Sequence, residues 1–139
     1  MEKLSEKDII AKIRRQENLE RIDISMLNLA GADLRGAKLK KAICEGTNFS
    51  SSILMSAELS KAHLSHANFQ DAILVFSNLS GANLESAKLQ GAILAGADLA
   101  YADFSNANLR FADFEGVRLD GANFDGADLR DTNFENHNF

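Results

Sequence analysis

Cys44, His63, His66 and His137 are the side chains of this sequence best suited to chemistry. A thiol attacks or ligates as thiolate, which needs an electropositive, partly exposed setting and a base. A zinc site needs about four nitrogen, sulfur or oxygen ligands. His63 and His66 stand three apart, but no acidic or thiol neighbour completes a set with them. No glycine-rich phosphate loop occurs either, because all nine glycines fall in one phase of a five-residue pattern. The expectation is therefore no catalytic residue, no metal site and no cofactor. What must position every side chain is that pattern.

The stretch from Gly81 to Ala100 shows it best, with Ala82/Leu84, Ala87/Leu89, Ala92/Leu94 and Ala97/Leu99 each two apart and recurring every five. Call the Leu position the centre. From Ile24 to Phe139 there are 24 centres without an insertion, 15 of them Leu and seven Phe, with Ile24 and Cys44 the exceptions. Two residues before the centre, 16 of the 24 are Ala, and the glycines all lie two residues after it. A period of five fits neither a helix of 3.6 residues per turn nor a strand alternating in twos. A small and a large apolar residue two apart point to one side of a short extended segment, and the Gly, Ser, Asn and Asp that follow are where a chain turns. Units this short bury their apolar side only by stacking on one another.

In this the chain resembles the pentapeptide-repeat family over residues 22–139, about 85% of its length. The resemblance implies an all-β solenoid, a right-handed four-sided β-helix of about six coils at four repeats per coil. Centres and preceding alanines would then point inward, Cys44 among them as a small hydrophobe. His137 would take an inward place in the last coil, and His63 and His66 would stand on the surface. At about 4.8 Å per coil the rod would be roughly 29 Å long.

Residues 1–21 read as a capping helix and lead-in. Ser5 and Asp8 have capping-box spacing, Leu4 and Ile9 sit at staple positions, and Ile9, Ile10 and Ile13 form an apolar stripe. Met26 and Leu27 break the small-residue rule in the first coil, consistent with the helix packing there. The charged start is unlike a signal sequence, and no apolar run approaches the roughly 18 residues of a membrane span. A single cysteine fits a reducing cytoplasm.

Because one coil would hold 20 residues, positions 20 apart stack in columns. The first face, around centres 24 to 124, carries Asp23, Glu45, Glu85, Asp103 and Asp125 with no Lys or Arg. The second is balanced. The fourth is mildly basic, with Lys38, Lys40, Lys41, Lys61 and Arg118 against Glu58, Asp98 and Asp120. The third presents Ile53, Met55, Ile73, Val75, Phe76 and Ile93 where outward residues elsewhere are mostly polar or small. Asp33 and Arg35 border that stripe at one end, with Asp113, Glu115 and Glu135 at the other; an apolar patch with a charged border has the look of a contact surface. Tyr101 and Phe111 are isolated by comparison. Phe104, Phe114, Phe124, Phe134 and Phe139 enlarge the centres toward the C-terminus. There Phe134 and Phe139 could form the apolar core of an end-to-end homodimer.

The functional expectation is a non-enzymatic protein-binding scaffold with the stripe as its contact surface, toward a protein partner or a second copy of itself. Net charge −5 and the absence of a strongly basic face argue against direct nucleic-acid binding. The family resemblance implies an alternative, a DNA-mimicking binder of a type II topoisomerase that uses the acidic first face.

Overall fold

The computed structural model describes residues 4–134. Helix α1 spans Glu6–Arg14. Ser5 is its N-cap, accepting from the Asp8 N–H while the Asp8 carboxylate accepts from the Ser5 N–H, a complete capping box. Two reversing hydrogen bonds end it: Gln16 N–H donates to the Ile13 carbonyl and Glu17 N–H to that of Lys12. Gln16 takes the left-handed conformation (φ 58°) that this stop requires. The buried Ile9 and Ile13 join the core of the rod, and Leu4, Ile10 and Ile22 pack beside them.

Below the helix the chain coils. Parallel pairings link residues 20 apart in an unbroken series from Asn18↔Lys38 to Asn108↔Asp128, one every five residues. Pairings at every fifth residue with a 20-residue repeat make four sides per coil. The series begins at Asn18, so Leu19, buried, supplies a further centre ahead of Ile24.

One unit shows how the backbone is satisfied. Ile73 N–H donates to the Ser52 carbonyl of the coil before (3.0 Å), and Leu74 and Phe76 N–H to Ile93 and Ala95 of the coil after (2.7 and 3.0 Å). Ser77 N–H closes the corner on the Leu74 carbonyl (3.0 Å). The corner is a turn whose third residue has positive φ. From Gln16 to Asp131 every fifth residue does so, nine glycines and 15 others, with φ between 56° and 73°. Each non-glycine there costs about 1 kcal/mol, offset by the ladder and corner bonds that the geometry permits.

Four N–H groups of the five are thereby used. The fifth, one residue after the centre, is served at fourteen units by the Asn or Asp one residue before the centre, whose Oδ1 accepts it. The polar residue of the Ala-Asp/Asn-Leu pattern is thus a backbone acceptor before it is a surface charge.

The centres from Leu19 to Phe114, Cys44 included, are buried, and so are most of the small residues two before them. Phe49 and Phe69 stack at 4.9 Å, as do Phe104 and Phe124 at 5.0 Å. Thr47 Oγ1 donates to the Ile24 carbonyl (2.8 Å) and Ser52 Oγ to that of Phe49 (2.6 Å). The Ser77 hydroxyl, equally buried, has no partner among the described residues. Ser77→Ala is therefore expected to raise stability by about 1 kcal/mol, since an unpaired buried hydroxyl is lost and no volume is opened. That corresponds to about 3 °C in the melting midpoint; an unchanged or lower midpoint would mean the hydroxyl is bonded after all.

Two sequence expectations are corrected. Leu27 is buried, but Met26 does not pack under α1: it is 74% exposed, at a corner with φ 62°, and its sulfur lies over Gly46. The five-residue register also changes character before the end. The Phe114 N–H takes the Asn133 side-chain oxygen (2.7 Å) where the centres from Leu19 to Leu109 take a carbonyl. Thr132 Oγ1 meanwhile donates to the Leu129 carbonyl and accepts from Phe134 N–H. Asn133 uses its side chain in place of its backbone because the chain there has left the ladder.

Candidate functional site

Face three is built by one column of pairings, Asp33↔Ile53, Ile53↔Ile73, Ile73↔Ile93 and Ile93↔Asp113. The ladder fixes the three isoleucines one above another, side chains outward, each coil about 4.8 Å from the next. Ile93 and Met55 are each 38% exposed, and Ile53, Ile73 and Val75 are half-buried against one another and the coils. Phe76, 68% exposed, stands at the adjoining corner and lays its ring over Gly96. All six residues expected in the stripe are thus brought together on one flat surface.

These isoleucines stand where most units place Asn or Asp. The N–H groups of Met55, Val75 and Ala95 consequently lack the side-chain acceptor available at those units, and are left to solvent or to a partner. Three successive coils give up that hydrogen bond in one column. Ladder stacking of β-branched residues contributes some stability in return, but it accounts for neither Met55 nor the exposed ring of Phe76.

The upper border is Asp33 and Arg35, joined by two hydrogen bonds (2.9 and 2.7 Å). That guanidinium holds the Asp33 carboxyl below its usual range and is itself pushed up. Beside them Ile13, Arg14 and Gln16 of the helix end complete a shallow recess of about 240 Å³, smaller than an ordinary ligand pocket. The lower border is Asp113 and Glu115. Asp113 accepts from Asn133 Nδ2 and from the Glu115 N–H, both at 2.9 Å; Glu135 lies outside the described residues.

On face one, Glu45, Glu85 and Asp125 are exposed. Asp23 and Asp103 are backbone acceptors: Asp23 takes the Ser25 N–H and hydroxyl (3.0 and 2.7 Å), and Asp103 the Ser105 N–H (2.9 Å). Ile43, 37% exposed between Asp23 and His63 in the same column, interrupts the polar run; sequence reading passed over it, though its phase was visible. His63 and His66 are exposed, and no group of three or more potential metal ligands occurs among the described residues. Cys44 is sealed in the core, where burial, reinforced by the Asp23 charge, pushes its thiol up and holds it protonated.

Of the two rings expected at the C-terminal end, Phe139 lies outside the described residues, as does His137. Phe134 is half-buried, edge-on to Phe114 (5.4 Å) and Phe124 (4.7 Å). It closes the core of its own chain at that level. Tyr101 and Phe111 are exposed corner residues, Tyr101 over Gly121 and Phe111 under the Arg110 guanidinium at 5.0 Å. Among the described residues no helix is long and apolar enough to cross a membrane.

Comparison with known proteins agrees with this construction. No curated protein matches the chain. Among solved structures it is similar to a pentapeptide repeat protein, Rfr23, from the cyanobacterium Cyanothece 51142, at 27% identity over 91% of this chain and 97% of that one, with a TM-score of 0.68. It also resembles QnrB1, a plasmid-mediated fluoroquinolone resistance protein, at 25% identity, 81% and 63% coverage and a TM-score of 0.45. A pentapeptide repeat protein of the Arabidopsis thaliana thylakoid lumen matches at 28% identity, 79% and 63% coverage and a TM-score of 0.38. The family model of pentapeptide repeats matches in eight copies, over residues 18–54, 57–96, 77–110 and 107–139. With that match, the 20-residue coil and the four paired columns, the chain belongs to the pentapeptide-repeat family.

Proposed function

We propose that this protein is a non-enzymatic, cytoplasmic protein-binding scaffold and that face three is its contact surface. The observation that carries the reading is the column Ile53, Ile73, Ile93, in which an apolar surface replaces the Asn or Asp that serves the backbone at fourteen other units. Met55, Val75 and Phe76 widen it, and charged residues border it at both ends. A rigid ladder presents such a patch with little ordering cost on binding.

A photo-crosslinking residue placed at Val75 in living cells tests this, with the same residue at Glu85 on face one as control. Protein adducts are expected from position 75 and not from 85, and Ile73→Asp should abolish them while leaving the fold intact. Equal adducts from both faces, or none from position 75, would overturn the assignment.

The acidic column of face one supports a second reading, the topoisomerase binder that mimics DNA. Its charge density is low, since Asp23 and Asp103 have a backbone role that accounts for them without a partner. The readings separate by salt and by site. Under the second, adducts come from position 85 and, in lysate, weaken steeply with added salt; with the crosslinker moved to Ser65 on the same face, neutralising Glu45, Glu85 and Asp125 removes the adducts formed there.

A further inference from the structure

Face three matches itself when turned end for end. One column reads Asp33, Ile53, Ile73, Ile93, Asp113 and its neighbour Arg35, Met55, Val75, Ala95, Glu115, each step one coil. The level of Ile73 and Val75 is the midpoint of both. A second copy rotated about a twofold axis lying across the face at that level sets Ile73 on Ile73 and Ile53 on Ile93. It also sets the long Met55 against the small Ala95. The rotation keeps each corner on the same side, so the exposed ring of Phe76 meets its own copy.

The borders obey the same symmetry. At the upper end Arg35 is held in place by Asp33, with Arg14 close by. At the lower end stand Asp113 and the exposed Glu115, which forms no ion pair among the described residues. Turned end for end, Arg35 of each copy faces Glu115 of the other, twice per pair; Asp33 then faces Asp113 in the adjoining column, with its charge already balanced by its two bonds to Arg35. A parallel pair, with its twofold along the rod, would exchange the two columns and gather Asp113 and Glu115 of both copies at one end, and like charges so placed are repulsive. Pairing through the rod ends would leave the isoleucine column uncovered.

We infer that the occupant of face three is a second copy of this chain, docked antiparallel through a self-complementary interface. The inference rests on face three being the contact surface and names what covers it. One side of a narrow solenoid is a small area, so the dimer belongs at the low end of protein interfaces and its dissociation constant in the micromolar range.

Engineered cysteines read the geometry directly, because the native Cys44 is buried and does not compete. Val75→Cys, on the axis, is expected to give a covalent dimer with a short bismaleimide, whose spacer bridges faces packed about 10 Å apart where a direct disulfide could not. Met55→Cys alone should not, whereas Met55→Cys mixed with Ala95→Cys should give the mixed dimer. Met55→Cys linking to itself as readily as Val75→Cys would mean a parallel pair and overturn the proposal.

Sedimentation equilibrium to about 0.5 mM protein, a concentration well above a micromolar dissociation constant, supplies the energetic test. Arg35→Glu and Glu115→Arg should each weaken the dimer about tenfold, and the double exchange should restore it. A wild-type monomer throughout overturns the proposal, and so does a dimer indifferent to both substitutions. Position-75 photo-adducts with a different protein and none with itself would also sink the dimer while leaving the assignment of face three standing. An absence of any position-75 adduct removes both.

Discussion

Phe69→Ala is expected to destabilise the protein by about 3–5 kcal/mol, the usual cost of emptying a buried aromatic site. Phe69 is fully buried, and its ring stacks on Phe49 with centroids 4.9 Å apart and planes 10° from parallel. The interior has little means of collapsing into the gap. Every side carries a ladder bond to the coil above and the coil below, so the walls cannot move inward without breaking them. Domain stabilities are about 5–15 kcal/mol, so the loss is a large share of the total.

The form of the transition carries as much information as its midpoint. In a solenoid each coil touches only its neighbours. Weakening the coil of Phe69 separates α1 and the first coils from the Phe104, Phe114 and Phe124 cluster below. Urea denaturation followed by circular dichroism should show a lower midpoint and a broader transition, the N-terminal part melting first. Phe69→Leu, which keeps most of the volume, should cost under about 1.5 kcal/mol. Equal costs for the two would mean that the interior is not close-packed at this level.

The inward set was legible because it depends only on phase. A residue two before or at a centre has no freedom to point elsewhere once the ladder forms, and Leu34, Cys44, Leu74 and Phe104 are all buried as their spacing implies. The corner was half legible. Nine glycines marked the phase, but Lys41, Ser51, His66 and Tyr101 adopt the same positive φ, since the ladder imposes the conformation whatever the side chain prefers. Met26 misled for that reason. A large residue beside the helix reads as packing, whereas its place in the unit is a corner, and corner side chains point outward. Asn133 misled in the opposite way: its spacing continued the register, but pairing needs backbone in the extended state, which spacing alone cannot secure.

The surface was legible as columns but not as roles. Asp23 and Asp103 counted as charges until their hydrogen bonds showed them serving the next N–H but one. That same bond gives the isoleucine column its meaning, since a residue that cannot accept stands out only once its neighbours are seen to accept. The contact expectation for Ile53, Ile73 and Ile93 thus gained a physical reason from the structure, and Ile43 emerged as a fourth residue of the same kind on another face.

Gly96→Ala is expected to cost about 2–3 kcal/mol, more than its backbone conformation alone explains. At φ +70° an alanine costs about 1 kcal/mol. A Cβ there would also sit 2.6 Å from two carbons of the Phe76 ring, and forcing the ring aside costs a further 1–2 kcal/mol or so. Gly36, in the same column with φ +67°, has nothing within 4 Å of the equivalent Cβ, so Gly36→Ala isolates the backbone cost. The pairing is repeated elsewhere: Met26 leans on Gly46 and Tyr101 on Gly121, each a large corner residue followed by glycine one coil later. A double-mutant cycle decides the point. In a Phe76→Ser background Gly96→Ala should fall to the cost of Gly36→Ala, giving a coupling of about 1 kcal/mol or more. Additive costs would mean that Phe76 merely overhangs Gly96. If the coupling is found, this glycine is what seats the Phe76 ring, and Gly96→Ala should weaken contacts through face three while Gly36→Ala leaves them unchanged.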